Sequence, residues 1–276
     1  MRVIVTGASG FLGGAVFRKL TSAGIACLGV SRKDIQGLHR VASYSDTPTG
    51  DCLIHCAETN DRTAANAGGD VLEAEARNTL EALLAKGYPH VVYASSAVLY
   101  GDRWTTLRKV TDPVFAVDTY TRIKEFSERM VLEHGGVVAR LANLYGPGMA
   151  AGNVLNHILG QLGSDRTITV YALEPVRDFL WVEDAALAMS AMINGRTSGV
   201  FNVGSGRGTS IRELVDLAQE AAETCQSVAA VHTLDRPSHL VLDIATTTQT
   251  FGWAPRTRMG EGVRKMVNMK MKWNIQ

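Results

Sequence analysis

The opening thirteen residues narrow the possible folds more than any other segment. Arg2-Val-Ile-Val-Thr6 is a short run rich in β-branched residues, and Gly7-Ala-Ser-Gly10-Phe-Leu-Gly13 follows without a break. Phe11, Leu12, Ala15, Val16 and Leu20 then recur at helical spacing through the stretch that ends near Thr21. Strand, glycine turn and helix in that order form the context in which a glycine pattern binds a dinucleotide. Gly7 permits the tight turn, Gly10 lets backbone approach a pyrophosphate, and Gly13 lets the helix pack close to the strand. The first turn of the helix offers free N–H groups to phosphate oxygens. The cofactor set read from this segment is Gly7, Gly10, Phe11, Leu12 and Gly13.

The next apolar run, Ile25-Ala-Cys-Leu-Gly-Val30, ends in Ser31-Arg32-Lys33. A carboxylate at that point would bind a ribose 2′-hydroxyl and repel a 2′-phosphate. This chain has a hydroxyl and two cations instead, and an arginine can stack on adenine and pair with a phosphate. Ser31 and Arg32 therefore favour NADP(H), with NAD(H) as the other possibility. The alternative for Arg32 and Lys33 is a pair of solvated loop charges.

Strand and helix patterns alternate along the chain, which indicates a parallel sheet with helices on both faces. Further strands are expected at Asp51-Cys-Leu-Ile-His-Cys-Ala57, His90-Val-Val-Tyr-Ala-Ser95, Val137–Asn143 and Gly199–Val203. Helices are expected over 70–86, ending at Gly87, and over 118–134, stopped by Gly135-Gly136. Residues 33–50 read as loop, too short for a full third βα unit, so the adenine side of the fold should be abbreviated. Beyond Gly148 a helix is expected at 152–163, a strand at 166–171, a helix from Val182 to about 194 and a last helix at 259–270. Ser210 with Glu213 three residues on reads as a capping box. The fold class is α/β: a Rossmann-type doubly wound parallel sheet with a smaller C-terminal substrate-binding lobe. We divide it as 1–143 plus 177–204 for the dinucleotide domain and 144–176 plus 205–276 for the lobe.

A chain of 276 residues with a formal net charge of +1 gives no electrostatic case for nucleic acid or an anionic membrane. No apolar run is long enough to span a bilayer, and the first strand begins too early to leave room for a signal peptide. Cys27, Cys52, Cys56 and Cys225 lack zinc-ligand spacing, so no metal is expected and a reduced cytoplasmic setting fits. Cys27, Cys52 and Cys56 lie in apolar runs and read as buried thiols.

Tyr120-Thr-Arg-Ile-Lys124 places a phenol and an ammonium four residues apart, on one face of the 118–134 helix. A neighbouring ammonium favours the ionised phenol and so makes it a better acid and base. Ser95-Ser96 supplies a hydroxyl able to hold the same substrate oxygen. Tyr-x-x-x-Lys alone is common in helices; the glycine turn gives it meaning.

With these residues laid out, the chain resembles the extended short-chain dehydrogenase/reductase family, and within it the nucleotide-sugar epimerases, reductases and dehydratases. The matching segments span almost the whole chain. They are Thr6–Gly13, Asp51–Ala57, Ala94-Ser-Ser-Ala-Val-Leu-Tyr-Gly101, Tyr120 with Lys124, Arg140-Leu-Ala-Asn143-Leu-Tyr-Gly-Pro147, Arg177-Asp-Phe-Leu-Trp-Val182 with Asp184, Phe201-Asn-Val-Gly-Ser205 and Arg236-Pro237. The resemblance implies that Ser96, Tyr120 and Lys124 are catalytic, Tyr120 as acid/base and Lys124 as the holder of the nicotinamide ribose. It adds Cys56 and Ala57 to the cofactor set. It implies a substrate set of Ser96, Asn143, Asn153, Val154, Arg177 and Arg236, a nucleoside-diphosphate sugar as substrate, and a homodimer.

Several positions depart from the family pattern. Ala97 and Val98 stand where sugar 4,6-dehydratases carry an Asp-Glu pair, so dehydration lacks its acid and base. Glu75 stands where an asparagine near the cofactor is usual, and Ser238-His239 follows Arg236-Pro237 where Gly-Asp is common. The favoured reading is an NADPH-dependent reductase of an NDP-4-keto-hexose. The alternatives are a 4-epimerase with tightly held NAD, and a non-catalytic NAD(P)-sensing protein.

Overall fold

The computed structural model describes residues 1–163, 166–194 and 197–273, the side chains of 271–273 excepted. In chain order the elements are β1 (Val3–Thr6), α1 (Phe11–Ser22), β2 (Cys27–Ser31), β3 (His39–Arg40), β4 (Cys52–His55), α2 (Arg62–Leu84), β5 (His90–Ser96), α3 (Thr119–Glu133), β6 (Val137–Leu141) and β7 (Asn143–Tyr145). They continue as α4 (Val154–Gln161), β8 (Ile168–Val170), β9 (Val176–Trp181), α5 (Val182–Ala191), β10 (Gly199–Val203), β11 (Gly208–Ser210), α6 (Ile211–Ala222), β12 (Val228–Ala230), β13 (His239–Leu240), α7 (Ala245–Phe251) and α8 (Met259–Trp273).

Seven strands form one sheet in the order β10-β6-β5-β4-β1-β2-β3, and every neighbouring pair is parallel. The order reverses direction between β1 and β4. In an open parallel sheet that reversal opens a crevice at the carboxyl ends of the strands, where ligands bind. Successive side chains of a strand face opposite sides of the sheet. Val3, Val5, Ile54, Val92 and Ala139 accordingly pack with α1 and α5 residues such as Val16, Leu20 and Met189. Ile4, Leu53, Val91, Tyr93 and Val138 pack on the other face with Leu80, Leu83 and Val131 of α2 and α3.

The adenine side is abbreviated as its sequence implies. The segment 33–50 is not pure loop, however. It contains the two-residue β3 and a short 3-10 turn, Tyr44–Asp46, capped by Ser43, with no helix between β3 and β4 other than that turn. Helix α2 starts earlier than the apolar periodicity suggests. Asp61 caps it by accepting from Ala64 N at 3.0 Å, and two helical pieces meet at Gly69 (φ 53°). Gly68-Gly69 hid the first piece, because paired glycines read as a break. At Ser210 only half of the expected capping box forms, with Ser210 Oγ accepting from Glu213 N at 3.1 Å. Among the cysteines Cys52 is buried, Cys27 and Cys56 are half-buried, and Cys225 is exposed. No helix among the described residues is long and apolar enough to cross a membrane.

After β6 the chain leaves the large sheet. Ala142 N still donates to Val203 O at 2.9 Å, and then Asn143 pairs with Phe179 in a second sheet built of β7, β9, β11 and β13. This sheet, with α4, α6 and α8, encloses a separate core around Tyr145, Leu155, Phe179, Trp181, Leu214 and Val263. Phe11, at the head of α1, packs against both cores.

A buried ion pair locks α3 onto the large sheet. Arg140 of β6 donates Nε and Nη2 to the two carboxylate oxygens of Glu128 at 2.9 and 2.7 Å, and Ser95 Oγ donates to the same carboxylate at 2.5 Å. Removing one partner of such a pair strands a buried charge. Arg140→Leu should therefore lower the unfolding free energy in a urea titration by about 3–5 kcal/mol, and an unchanged midpoint would show that the pair does not hold α3.

Candidate active site

The glycine turn is shaped by contact with backbone. Gly7 has φ +70°, and a Cβ there would lie 2.7 Å from Cys56 O. A Cβ on Gly13 would lie 2.3 Å from Gly7 O, and Gly10 N donates to Gly7 O at 2.8 Å. Only glycine fits where backbone meets backbone this closely. Helix α1 has Gly10 at its N-cap and no side-chain cap, so its first N–H groups are left for a ligand. Cys56 and Ala57 lie against this turn from the end of β4. These features fit the pyrophosphate of a dinucleotide.

A cavity of about 270 Å³ opens beside the turn, lined by Arg32, Tyr44, His55, Glu58, Glu75 and Ile123 among others. Arg32 lies over the Tyr44 ring, 5.3 Å from its centroid. Ser31 is fully buried and does not face this space. Its hydroxyl donates to Ser9 Oγ and accepts from Lys33 N, each at 2.9 Å. Glu75, the departure noted on α2, does line the cavity.

Helix α3 starts at Asp118, whose carboxylate accepts from Thr121 N at 2.9 Å while Thr121 Oγ1 accepts from Asp118 N at 3.0 Å. Arg62 and Asn66 of α2 bond the same carboxylate, and these contacts hold it below the usual carboxylate range against the opposing effect of burial. The start of α3 is thus pinned one residue before Thr119, and Tyr120 and Lys124 come to lie on its inner face, 8% and 5% exposed. Lys124 Nζ sits 5.9 Å from the Tyr120 ring centroid and donates to Ala94 O of β5 at 3.0 Å. Ser96 ends the same strand. Its hydroxyl accepts from Val98 N at 3.3 Å and caps the turn Ala97–Tyr100. Lys124 is thus held two residues before Ser96 on β5, with the Tyr120 ring beside its ammonium.

The sequence motifs did not include Glu58. Its carboxylate accepts from Lys124 Nζ at 3.0 Å, from Ser127 Oγ at 2.7 Å and from the Tyr93 hydroxyl. Burial would raise Glu58, but Lys124, His55, Tyr93 and Ser127 together hold it below its ordinary value. Burial would lower Lys124, but Glu58 foremost, with Tyr120 and Cys56, raises it above its ordinary value. The available signal was position: Glu58 follows directly on the Asp51–Ala57 motif at the strand's open end.

The substrate set makes different contacts. Arg177 on β9 and Arg236 converge on a second overlooked residue, Asp102, through Nη2 to Oδ2 at 3.1 Å and Nη1 to Oδ1 at 3.0 Å. Ser238 joins them, accepting from Arg177 Nη2 at 2.7 Å and donating to Asp102 at 2.5 Å. Asn153 and Val154 stand at the head of α4. Asn153 is engaged there as a cap, accepting from Leu155 N at 2.9 Å and donating to Leu144 O at 3.0 Å. Asn143 is half-buried on β7.

The chain belongs to the NAD dependent epimerase/dehydratase family, whose model matches residues 3–204. It is an enzyme of the extended short-chain dehydrogenase type. It is similar to UDP-glucose 4-epimerase of Azospirillum brasilense, 25% identical over 99% of this chain and 91% of that protein. It is also similar to dTDP-6-deoxy-L-talose 4-dehydrogenase (NAD(P)(+)) of Kitasatospora kifunensis, 25% identical over 96% of this chain and 94% of that protein. The structure of Thermus thermophilus UDP-glucose 4-epimerase, solved in complex with NAD, shares the fold with a TM-score of 0.84 at 24% identity, covering 97% of this chain and 98% of that one.

His55 yields a pH test. It lies inside the site, 2% exposed, bonded through Nδ1 to Thr6 Oγ1 at 2.8 Å. Burial pulls it from 6.5 down to about 4. Between those values the unfolded chain takes up a proton that the folded chain refuses, so stability should fall as pH drops through this window. The loss should reach about 3 kcal/mol in urea titrations, and His55→Gln should flatten the slope. A slope unchanged in that variant would contradict a neutral, buried His55.

Proposed function

We propose that this protein transfers hydride at C4 of a nucleoside-diphosphate sugar and that it works as an NADPH-dependent reductase of a 4-keto-hexose. The observation that carries the reading is the buried Lys124 ammonium, 5.9 Å from the Tyr120 ring centroid and bonded to Ala94 O of the strand that ends in Ser96. The bound dinucleotide would supply the hydride, which is chemistry that amino-acid side chains lack. Tyr120 hands its proton to the oxygen that becomes the C4 hydroxyl. Ser96 Oγ hydrogen-bonds that oxygen and keeps it in line. Lys124 keeps its ammonium near the phenol and would bind the ribose. Holding the carbonyl in fixed geometry supplies much of the remaining acceleration.

Arg32 supports NADP(H). It lines the cavity, lies over the Tyr44 ring, and follows Ser31, which ends β2 where a ribose-binding carboxylate would stand. Ser31 is withdrawn from that role, because its hydroxyl is held by the glycine loop. Arg177 and Arg236 form a paired cationic fork suited to a diphosphate. Asn143, with Asn153 and Val154 on the lobe side, would border the sugar and base. We keep the division into a dinucleotide domain and a C-terminal lobe, and we place the enzyme in the cytoplasm as a homodimer. The named relatives act on nucleotide sugars, which agrees with this substrate class.

A 4-epimerase is the second reading, and the similarity to UDP-glucose 4-epimerase favours it. The two are separated by the cofactor. The purified reductase should be nearly free of nucleotide and should oxidise added NADPH only when an NDP-4-keto-hexose is present. Protein that carries stoichiometric NAD, and interconverts UDP-glucose and UDP-galactose with none added, would establish the epimerase instead. Tyr120→Phe should slow turnover by about 100-fold or more with cofactor binding retained; normal turnover in that variant would remove Tyr120 from the mechanism.

A further inference from the structure

Lys124 carries three N–H donors on its ammonium. One is given to Ala94 O and one to Glu58 Oε2, each at 3.0 Å. A single donor is left, and the cavity is lined by Glu58 and by Ile123, the residue before Lys124. The Glu58 carboxylate is itself fixed from two further elements, by Ser127 Oγ of α3 at 2.7 Å and by the Tyr93 hydroxyl of β5. Both side chains are 6% exposed, so neither charge is shielded by solvent. We propose that Glu58 is the positioning residue of this site: it holds the ammonium of Lys124 so that its one remaining N–H points at the cofactor. The proposal rests on the assignment of Lys124 to the cofactor ribose made above.

The chemistry follows from burial. A buried ammonium without a counter-charge loses its proton easily, because a low-dielectric surrounding disfavours the charged form. The neutral amine would bind a ribose hydroxyl more weakly. Glu58 prevents this. The other groups facing the ammonium cannot replace it. Tyr120 and Cys56 are neutral when protonated, and burial raises the Cys56 thiol to about 12. His55 and Tyr93 face Glu58 as neutral groups. Glu128 is bound up with Arg140, and Glu75 shares the cavity lining with Arg32.

The test is the pH dependence of NADPH binding, read by nucleotide fluorescence without any sugar, so that it does not depend on the substrate assignment. In the unaltered protein the dissociation constant should be nearly flat from about pH 6.5 to about pH 9, because Lys124 stays protonated throughout. In Glu58→Gln the affinity should be close to that of the unaltered protein at the lower pH and weaker by about tenfold or more at the upper one. A parallel profile, or an equal weakening at every pH with a lowered Tm, overturns the proposal and leaves Glu58 a structural residue. If Glu58→Gln does not fold, Ser127→Ala is read in the same titration, since it frees one carboxylate oxygen while keeping the charge. A smaller loss confined to high pH supports the proposal, and an unchanged profile overturns it. If the unaltered protein binds neither NADPH nor NADH, the cofactor reading fails and this proposal falls with it.

Discussion

The bond from Lys124 Nζ to Ala94 O ties helix α3 to the strand that ends in Ser96, and the proposed site depends on it. A buried cation cannot be left unpaired. The surrounding structure is arranged to receive this one, with a carbonyl from β5 and a carboxylate from the end of β4. The same helix is fixed at its start by the Asp118 cap and further along by the Glu128–Arg140 pair. Between those anchors, Tyr120 has little freedom to move along or around the helix axis. Position is the quantity that hydride and proton transfer demand most strictly.

At the cofactor end the constraint is absence of side chain. Gly7 and Gly13 let β1, α1 and the end of β4 come within van der Waals contact through backbone atoms. That contact leaves the uncapped N-terminus of α1 facing the crevice where the strand order reverses. At the other end, Asp102 gathers Arg177 and Arg236 into one cluster, so the cationic fork is already assembled.

The sheet and its glycine turn were legible because they rest on local periodicity and on residues whose backbone freedom is singular. Tyr120 and Lys124 were legible because a spacing of four places side chains on one helical face. Glu58 and Asp102 were not, since each acts only through partners distant in sequence: Lys124 lies 66 positions from Glu58, and Arg236 lies 134 from Asp102. Ser31 was assigned to the cofactor from its place at a strand end, and only the fold shows its hydroxyl turned into the glycine loop. The first half of α2 was masked by Gly68-Gly69, where tertiary packing sustains a helix across a kink that propensity alone reads as an end.

The central claim is that hydride passes between a nicotinamide and C4 of a sugar bound against Tyr120 and Ser96. The most direct measurement follows the label from NADPH deuterated at its transferable position into the product of an NDP-4-keto-hexose. The account predicts one deuterium at C4 of the sugar, with turnover slowed relative to unlabelled NADPH. Label at any other carbon, or product formed at C4 without label, would contradict it.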